Sequence, residues 1–160
     1  MGSNHVAADV RIEPLHPRYA DALAGLVLAS DSPERLSLAG ALRDFLWIDT
    51  FTLVAIAPGG LVGFLLGEVH GPDAVVTFLY VTPEERRRGT GGALVRAFAA
   101  RTRLDGCRRL VVETSGDPSD GEGTDAFLRG LGLEPDGEPV DGRPRHVGDL
   151  LRAARPTRAT

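Results

Sequence analysis

Hydrophobic and polar positions follow two different periods along the chain. Residues 10–15 ("VRIEPL") predict a short strand, whereas the segment from Pro17 ("PRYADALAGLVLAS") has apolar positions at helical spacing, with the proline in the first turn. Ser32 and Pro33 favour the start of a second helix, "ERLSLAGALRDFLW".

Three apolar segments then predict strands over residues 51–57, 61–69 and 74–81. Pro58, Gly59 and Gly60 separate the first two, and residues 71–73 separate the second and third, as in β-hairpins. The segments are almost continuously apolar, which is typical of a sheet covered by helices on both faces.

The remaining pattern alternates helices and strands. It predicts a helix over residues 89–104, a strand at "RRLVVETS", an acidic loop over residues 116–123, a short helix at "TDAFLRGLGL" that stops at Gly132, and two strands around Asp141 and Gly142. The order βααβββαβαββ predicts an α+β domain, a mixed α/β arrangement in three layers, over residues 10–151. Residues 1–9 are expected to be disordered or tag-like, and residues 152–160 to be a disordered basic tail.

Composition and charge narrow the class of protein. A chain of 160 residues fits one domain, and its net charge of −4 disfavours nucleic acid as a partner. No apolar run approaches the roughly 20 residues of a membrane span, and no signal segment is evident, so we expect a cytoplasmic protein without a membrane partner. Cys107 is the only cysteine, which predicts a reducing compartment and a buried, inert thiol. The four histidines are far apart, so no metal site is predicted.

One motif suggests chemistry: "VTPEERRRGTGGALV", residues 81–95. Three arginines precede three glycines at the predicted start of a helix. The first amides of a helix lack intrahelical partners, glycines let an anion approach them, and arginines add positive charge. The motif therefore predicts a phosphate cradle. The alternative is a solvated arginine run beside a tight turn.

Two common phosphate motifs do not fit these residues. A Walker A loop needs a lysine, and the chain has none. The dinucleotide pattern G-x-G-x-x-G fits at Gly89 and Gly91 but fails at Leu94. A nucleotide- or nucleic-acid-binding protein would rest on the arginine cluster alone.

The motif resembles the acetyl-CoA site of the GCN5-related N-acetyltransferase (GNAT) superfamily, whose pattern is Arg/Gln-x-x-Gly-x-Gly/Ala after a strand that ends in Val-x-Pro. Arg86, Gly89 and Gly91 fill the defining positions, and Val81 and Pro83 fill the strand end. The resemblance implies a GNAT-type acyl-CoA N-acyltransferase fold, with a central mixed, mostly antiparallel sheet flanked by helices. It implies direct transfer of acetyl from acetyl-CoA, or of another short acyl group, to a primary amine.

The resemblance also implies a set of cofactor contacts. The backbone amides of residues 87–92 would hold the pyrophosphate, and residues 79–81 would meet the pantetheine arm where the fourth and fifth strands diverge. The implied cofactor-binding residues are Leu79, Tyr80, Val81, Arg86, Arg87, Arg88, Gly89, Thr90, Gly91, Gly92 and Ala93.

The late helix departs from the family. Its usual pattern is Asn-x-x-Ala-x-x-Phe-Tyr-x-x-x-Gly-Phe, and "GEGTDAFLRGLGL" places Phe127 and Gly132 correctly. However, Gly121 replaces the asparagine, and Leu128 replaces the tyrosine that usually protonates the leaving thiolate. Leu128 cannot donate a proton.

The catalytic candidates are therefore Glu68, Glu113 and Tyr80. Some relatives carry a glutamate early in the fourth strand, where this chain has Val75 and Val76. Each glutamate has an alternative interpretation, a solvated or arginine-paired strand end. Tyr80 could equally be a core residue with its hydroxyl satisfied.

An acidic stretch suggests the acceptor. Nine carboxylates lie between Glu113 and Asp141, with Arg129 as the only base among them, and they would attract a cationic amine. The expected acceptor is a small molecule, such as a polyamine or an aminoglycoside-like amine, or the amino group of a peptide or protein. The alternative is a solubilising loop. Phe45 and Trp47 could line the acceptor pocket or belong to the core.

A second function, without catalysis, is also compatible with these residues. The missing tyrosine and asparagine favour a catalytically impaired CoA-binding module of the same fold, which would act as a sensor or partner protein. A homodimer is compatible with either function.

Overall fold

A computed structural model describes residues 10–29, 51–85, 89–113, 121–138 and 144–154. The predicted second helix, with Phe45 and Trp47, lies outside the described residues. The same holds for Arg86, Arg87 and Arg88 and for most of the acidic loop.

Strands and helices in the described ranges follow the predicted order closely. The strands are β1 (Arg11–Pro14), β2 (Phe51–Ala57), β3 (Gly60–His70), β4 (Asp73–Val81), β5 (Arg109–Glu113), β6 (Glu134–Pro135) and β7 (Arg145–Asp149). The helices are α1 (Ala20–Ala29), α2 (Thr90–Leu104), α3 (Gly121–Gly130) and α4 (Leu150–Ala154), with short 3-10 helices at Pro17–Tyr19 and Pro83–Glu85.

The strands form one mixed sheet in the order β1-β2-β3-β4-β5-β7-β6. The pair β4/β5 is parallel, whereas β1/β2, β5/β7 and β6/β7 are antiparallel. A parallel pair needs a crossover connection, which α2 supplies between β4 and β5. The predicted α+β class and the mixed, mostly antiparallel sheet are confirmed.

The chain divides into two compact units. The first comprises Met1–Leu66, Leu79–Leu94 and Ala159–Thr160, and the second comprises Gly67–Phe78 and Val95–Arg158. The most deeply buried large side chains of the first unit are Leu23, Val27, Val54, Phe64, Leu65 and Leu94. Those of the second unit are Phe98, Leu110, Leu128, Leu133 and Leu150.

In the first unit, the segment after β1 differs from the predicted uniform helix. Pro17–Tyr19 forms a 3-10 turn, and the ring nitrogen Nδ1 of His16 accepts a hydrogen bond from the amide of Arg18 at 3.1 Å. The α-helix begins only at Ala20. The histidine therefore caps the turn that proline initiates.

In the second unit, the helix α3 begins earlier than predicted, at Gly121 instead of Thr124. Its end agrees with the prediction, because Gly132 has a φ of 90° and donates its amide to the carbonyl of Arg129 at 2.9 Å. A left-handed glycine that closes the last turn is a common helix stop.

The boundary of the predicted C-terminal tail is wrong. The helix α4 includes Arg152 and Ala153, and Ala153 is only 1% exposed. The amide of Leu150 donates to the carbonyl of Arg108 at 3.0 Å, which ties the start of α4 to the segment before β5. Tertiary packing thus orders a short helix that has little intrinsic stability of its own.

Candidate active site

The end of β4 leads into the glycine corner. The amide of Thr82 donates to the carbonyl of Val62 at 2.8 Å, which ties this segment to β3. The 3-10 helix Pro83–Glu85 follows, and Gly89 then has a φ of 85°. Glycine adopts this left-handed conformation at little cost, so the backbone geometry explains why glycine stands at this turn.

The first turn of α2 contains backbone donors that have no acceptor within the helix. The amide of Ala93 donates to the carbonyl of Gly89 at 2.9 Å, the first bond of the helical ladder among the described residues. The amides of Thr90, Gly91 and Gly92 precede it, so the helix itself offers them no acceptor. The helix dipole is positive here, and the two glycines have no side chains to block an anion. The turn has the kind of backbone donors that a phosphate group requires.

Thr90 opens the buried face of α2. The same face carries Leu94, Phe98 and Thr102, which follow at intervals of four residues. All four residues are at most 1% exposed. The hydroxyl of Thr102 donates to the carbonyl of Phe98 at 2.9 Å, whereas the hydroxyl oxygen of Thr90 has no hydrogen-bond partner among the described residues. The side chain of Thr90 thus belongs to the packed face of the helix, and its amide lies in the first turn.

Tyr80 lies on β4 just before this corner. It is half-buried, like Leu79 and Val81, and its ring centroid lies 6.1 Å from that of Phe64. The rings are tilted by 38°, and their centroids lie within the distance range of interacting aromatic pairs. The ring packs against the core while part of the residue stays accessible.

The ladder between β4 and β5 is shorter than β4 itself. It runs from Asp73 opposite Arg109 to Val76 opposite Val112, and β4 continues to Val81. Val75 and Val76, which stand where some relatives have a glutamate, are buried in this ladder. They supply no titratable group.

Glu68 is exposed near the end of β3 and has a partner that the sequence analysis missed. Its carboxylate oxygen Oε2 lies 2.8 Å from Nε2 of His70, and the two side chains are 46% and 64% exposed. Residues two apart on a strand point to the same face, so the Glu-x-His spacing could have predicted this pair. Glu68 is therefore a solvated carboxylate at a strand end, and it is not buried as a desolvated catalytic carboxylate would be.

Glu113 ends β5 and is half-buried. It stands opposite Arg145 of β7 in the antiparallel register, and Nε of Arg145 lies 3.9 Å from a carboxylate oxygen of Asp136. A basic residue directly across the ladder stabilises a carboxylate. Glu68 and Glu113 both belong to the second unit, whereas Tyr80 and the glycine corner belong to the first.

Leu128 is a core residue. It is 1% exposed on α3, and its carbonyl accepts the amides of Leu131 at 3.1 Å and of Leu133 at 3.0 Å. Neither its chemistry nor its burial allows it to replace the tyrosine of the family pattern.

Several acids of the acidic stretch have arginine neighbours. The carboxylate of Glu134 accepts a hydrogen bond from Arg129 at 2.6 Å, and Asp136 lies beside Arg145. Asp117 and Asp120 lie outside the described residues. The described part of the stretch is therefore partly neutralised.

Cys107 is buried, as predicted, with its sulfur 3.9 Å from the carbonyl oxygen of Gly71. Burial, with the nearby carboxylates of Asp105 and Asp73, raises the pKa of the thiol. Within the described ranges, no cluster of three or more histidine, cysteine or acidic side chains could hold a metal ion. No helix in the same ranges is both long enough and apolar enough to cross a membrane.

The described residues combine a mixed sheet with a helix, α2, that connects the parallel strands β4 and β5. The model of the Acetyltransferase (GNAT) family matches residues 22–132, which is more than half of the chain. The chain belongs to this family.

Three similar proteins illustrate the match. The L-2,4-diaminobutyric acid acetyltransferase of Nocardia farcinica (strain IFM 10152) is 34% identical over an alignment of 107 residues, and the match covers 63% of this chain and 55% of the relative. The chain thus matches about half the length of that relative. An acetyltransferase from Thermus thermophilus has a TM-score of 0.67 at 23% identity, and the match covers 91% of this chain and 99% of the other. The PaiA N-acetyltransferase of Thermoplasma acidophilum, solved with coenzyme A, has a TM-score of 0.69 at 16% identity. That match covers 88% of this chain and 98% of the other.

The family assignment confirms the predicted fold, and the family is one of acetyltransferases, in agreement with the predicted enzyme class. Acetyl-CoA, the predicted donor, is the cofactor that this family uses. The residues that bind it, the acceptor and the groups that move protons stay predictions.

Proposed function

We propose that this protein is an N-acetyltransferase that transfers acetyl from acetyl-CoA to a primary amine by direct transfer in a ternary complex. The observation that carries the proposal is the first turn of α2 in a member of the GNAT family, where the amides of Thr90 to Gly92 have no intrahelical acceptor and Gly89 makes a left-handed turn after β4. Acetyl-CoA supplies an acetyl thioester, which an amine with a free lone pair can attack.

In this proposal, the glycine corner holds the pyrophosphate. The amides of Gly89 to Gly92 donate to its oxygens, and Arg86, Arg87 and Arg88 supply charge-assisted hydrogen bonds. Ala93 completes the turn without a bulky side chain. The backbone of Leu79 to Val81 contacts the pantetheine arm, because β4 continues past its ladder with β5.

Tyr80 is the proposed proton donor. It lies on the strand that meets the cofactor, in the same unit as the corner, and a phenol hydroxyl can protonate a leaving thiolate. Glu68 and Glu113 remain the candidates for removing a proton from the acceptor. Of the two, Glu113 is the less exposed, and Glu68 is already paired with His70.

The acceptor is proposed to be a cationic amine. The excess of carboxylates around α3 supports a small cationic molecule or a protein amino group. The relative named for L-2,4-diaminobutyric acid supports the small molecule of the two, since such an acid carries a primary amine on a short side chain.

A CoA-binding module without chemistry is the second candidate function. The buried Leu128 at the position of the family's tyrosine favours it. Both candidates require acetyl-CoA to bind, and they differ only in thiol release.

Calorimetric titration with acetyl-CoA, beside NAD and ATP, tests the shared part of the proposal. We expect saturable binding of acetyl-CoA alone. Thiol release is then measured with a panel of amines that includes L-2,4-diaminobutyric acid, a polyamine and a peptide with a free amino group. Binding without release on any amine would favour the module, and absence of acetyl-CoA binding would contradict both functions.

A further inference from the structure

Gly63 stands in the buried middle of β3, where glycine needs an explanation. Glycine weakens a strand interior, and it often marks a place where another backbone approaches closely. The left-handed glycines of the described residues include Gly60 and Gly71, at the two ends of β3, but not Gly63. Its backbone conformation therefore does not require glycine, so the cause must be space.

The surroundings of Gly63 show what occupies that space. A Cβ atom added there would lie 2.9 Å from the backbone carbonyl oxygen of Tyr80. It would also lie 3.4 Å from Cδ1 of Leu94 and 3.4 Å from Cγ2 of Val81. The two side-chain atoms are at ordinary contact distance, whereas the carbonyl oxygen is too close for a real Cβ.

These three neighbours belong to the two halves of the proposed cofactor site. Tyr80 and Val81 end β4, and Leu94 lies one helical turn after Thr90 on the packed face of α2. All of them, with Gly63 itself, belong to the first unit. Gly63 is thus the point where the cofactor strand and the first turns of α2 both pack against β3.

We propose that Gly63 is a positioning residue for acetyl-CoA binding, an inference that rests on the proposed function. Its missing side chain lets the carbonyl of Tyr80 and the start of α2 take up the positions that the pantetheine arm and the pyrophosphate require. A methyl group there would have to move backbone, because no rotation of a side chain removes a carbonyl oxygen. The displacement would fall on the strand and the helix start together.

Gly67 provides a matched control on the same strand. A Cβ atom there would lie 2.3, 2.6 and 3.1 Å from three ring atoms of Phe98, one turn further along α2. The obstacle is a fully buried side chain in the second unit, and no atom of the proposed site is involved. Gly67→Ala should therefore disturb packing without changing the cofactor site.

The experiment compares wild type, Gly63→Ala and Gly67→Ala by calorimetric titration with acetyl-CoA, by the KM for each substrate and by the unfolding temperature. We expect Gly63→Ala to raise both the Kd and the KM for acetyl-CoA by about ten-fold, because small misplacements of binding groups are costly. The KM for the amine should change by less than about two-fold. Gly67→Ala should lower the unfolding temperature at least as much and leave the Kd for acetyl-CoA within about two-fold of wild type.

Equal Kd values for Gly63→Ala and wild type would overturn the proposal, and so would an equal loss of affinity in Gly67→Ala. Either result would leave the proposed function standing, because wild type would still bind. Failure of wild type to bind acetyl-CoA would instead remove the proposed function, and this inference with it.

A second pair of variants applies if Gly63→Ala yields too little folded protein. Leu94→Val removes the Cδ1 atom that packs against Gly63 and so loosens the packing of the first turns of α2 on β3. Phe98→Leu reduces the ring contact over Gly67, away from the proposed site. The proposal predicts a raised Kd for acetyl-CoA in Leu94→Val only. A raised Kd in both, or in neither, would overturn it.

Discussion

The first turn of α2 and the middle of α3 differ in what fills them. In α2, Gly91 and Gly92 add no side chains to a helix start whose amides lack intrahelical acceptors. In α3, Leu128 places an apolar side chain in the core at the position where the family usually has a phenol. The chain keeps the family's pattern where the donor would bind and departs from it where a proton would be supplied. The difference teaches that the family's donor-binding motif and its proton-donor motif lie on separate elements, so one can be lost while the other is kept.

The largest expected effect is on the affinity for acetyl-CoA, and it comes from a substitution in the first turn of α2. Gly91→Phe should lower the affinity for acetyl-CoA by about 100-fold or more, since a bulky side chain would block charge-assisted hydrogen bonds of about 1.5–3 kcal/mol each. Calorimetric titration measures the loss. Gly59→Phe is the control, because Gly59 lies in an exposed turn with open space around it. Full affinity in Gly91→Phe would place the pyrophosphate elsewhere.

On the side of α3, the expected effect is on stability. Leu128→Ala should lower the free energy of unfolding by about 2–5 kcal/mol, the usual result of a cavity in a packed core. The Kd for acetyl-CoA of the folded protein should stay the same. Urea unfolding measures the change, with Leu104→Ala as control, because Leu104 is 87% exposed. If Leu128→Ala were as mild as Leu104→Ala, Leu128 would not be part of the core.

Tyr80→Phe sharpens the comparison, because it asks whether β4 supplies the proton that α3 cannot. Loss of a general acid typically lowers kcat by about 100-fold or more. The ring and its contact with Phe64 are kept, so the Kd for acetyl-CoA should be unchanged. Tyr19→Phe is the control, since Tyr19 is the other tyrosine of the chain and hydrogen-bonds Glu13. An unaltered kcat in Tyr80→Phe would eliminate Tyr80 as the donor.

The smallest expected effect concerns the ladder between β4 and β5. Arg109 donates to both carboxylate oxygens of Asp73, at 2.8 and 2.7 Å, and this lowers the pKa of the carboxyl. A lowered pKa in the folded state stabilises the protein above the ordinary pKa of aspartate, and the contribution is lost as the pH falls through the lowered value.

Asp73→Asn should therefore cause a small loss of stability at neutral pH that shrinks on acidification, measured by urea unfolding across a pH series. The pair is exposed enough for salt to weaken it. The double variant Asp73→Asn/Arg109→Gln should be little worse than the single one. A loss that stayed constant down to acid pH would contradict the role of the carboxylate charge.

Local sequence was sufficient to predict the elements that are determined by their own residues. Apolar runs bounded by glycine and proline predicted β2, β3 and β4 to within a residue at each end, and the left-handed turn at Gly89 follows from glycine itself. The start of α3 was missed because glycines at 121 and 123 have low helix propensity. The helix α4 was missed because its order depends on contacts with β5 and the segment before it, which are distant in sequence.

The candidate site shows the same division. The corner could be predicted from its own residues, but the crowding at Gly63 could not, because it depends on Tyr80 and Leu94. A glycine inside a strand indicates that another group approaches closely, but the sequence does not identify that group. The partner of Glu68 was within reach of the sequence, since His70 stands two residues later on the same strand.

The burial of Cys107 has a consequence for enzymology. It is the only cysteine of the chain, and its raised pKa keeps the thiol protonated and unreactive while the protein is folded. A chromogenic disulfide reagent added to the folded protein should therefore count released coenzyme A with almost no background. Once the fold opens, the same reagent would colour in proportion to the unfolded fraction. The same reagent can thus measure turnover below the melting temperature and the extent of unfolding above it.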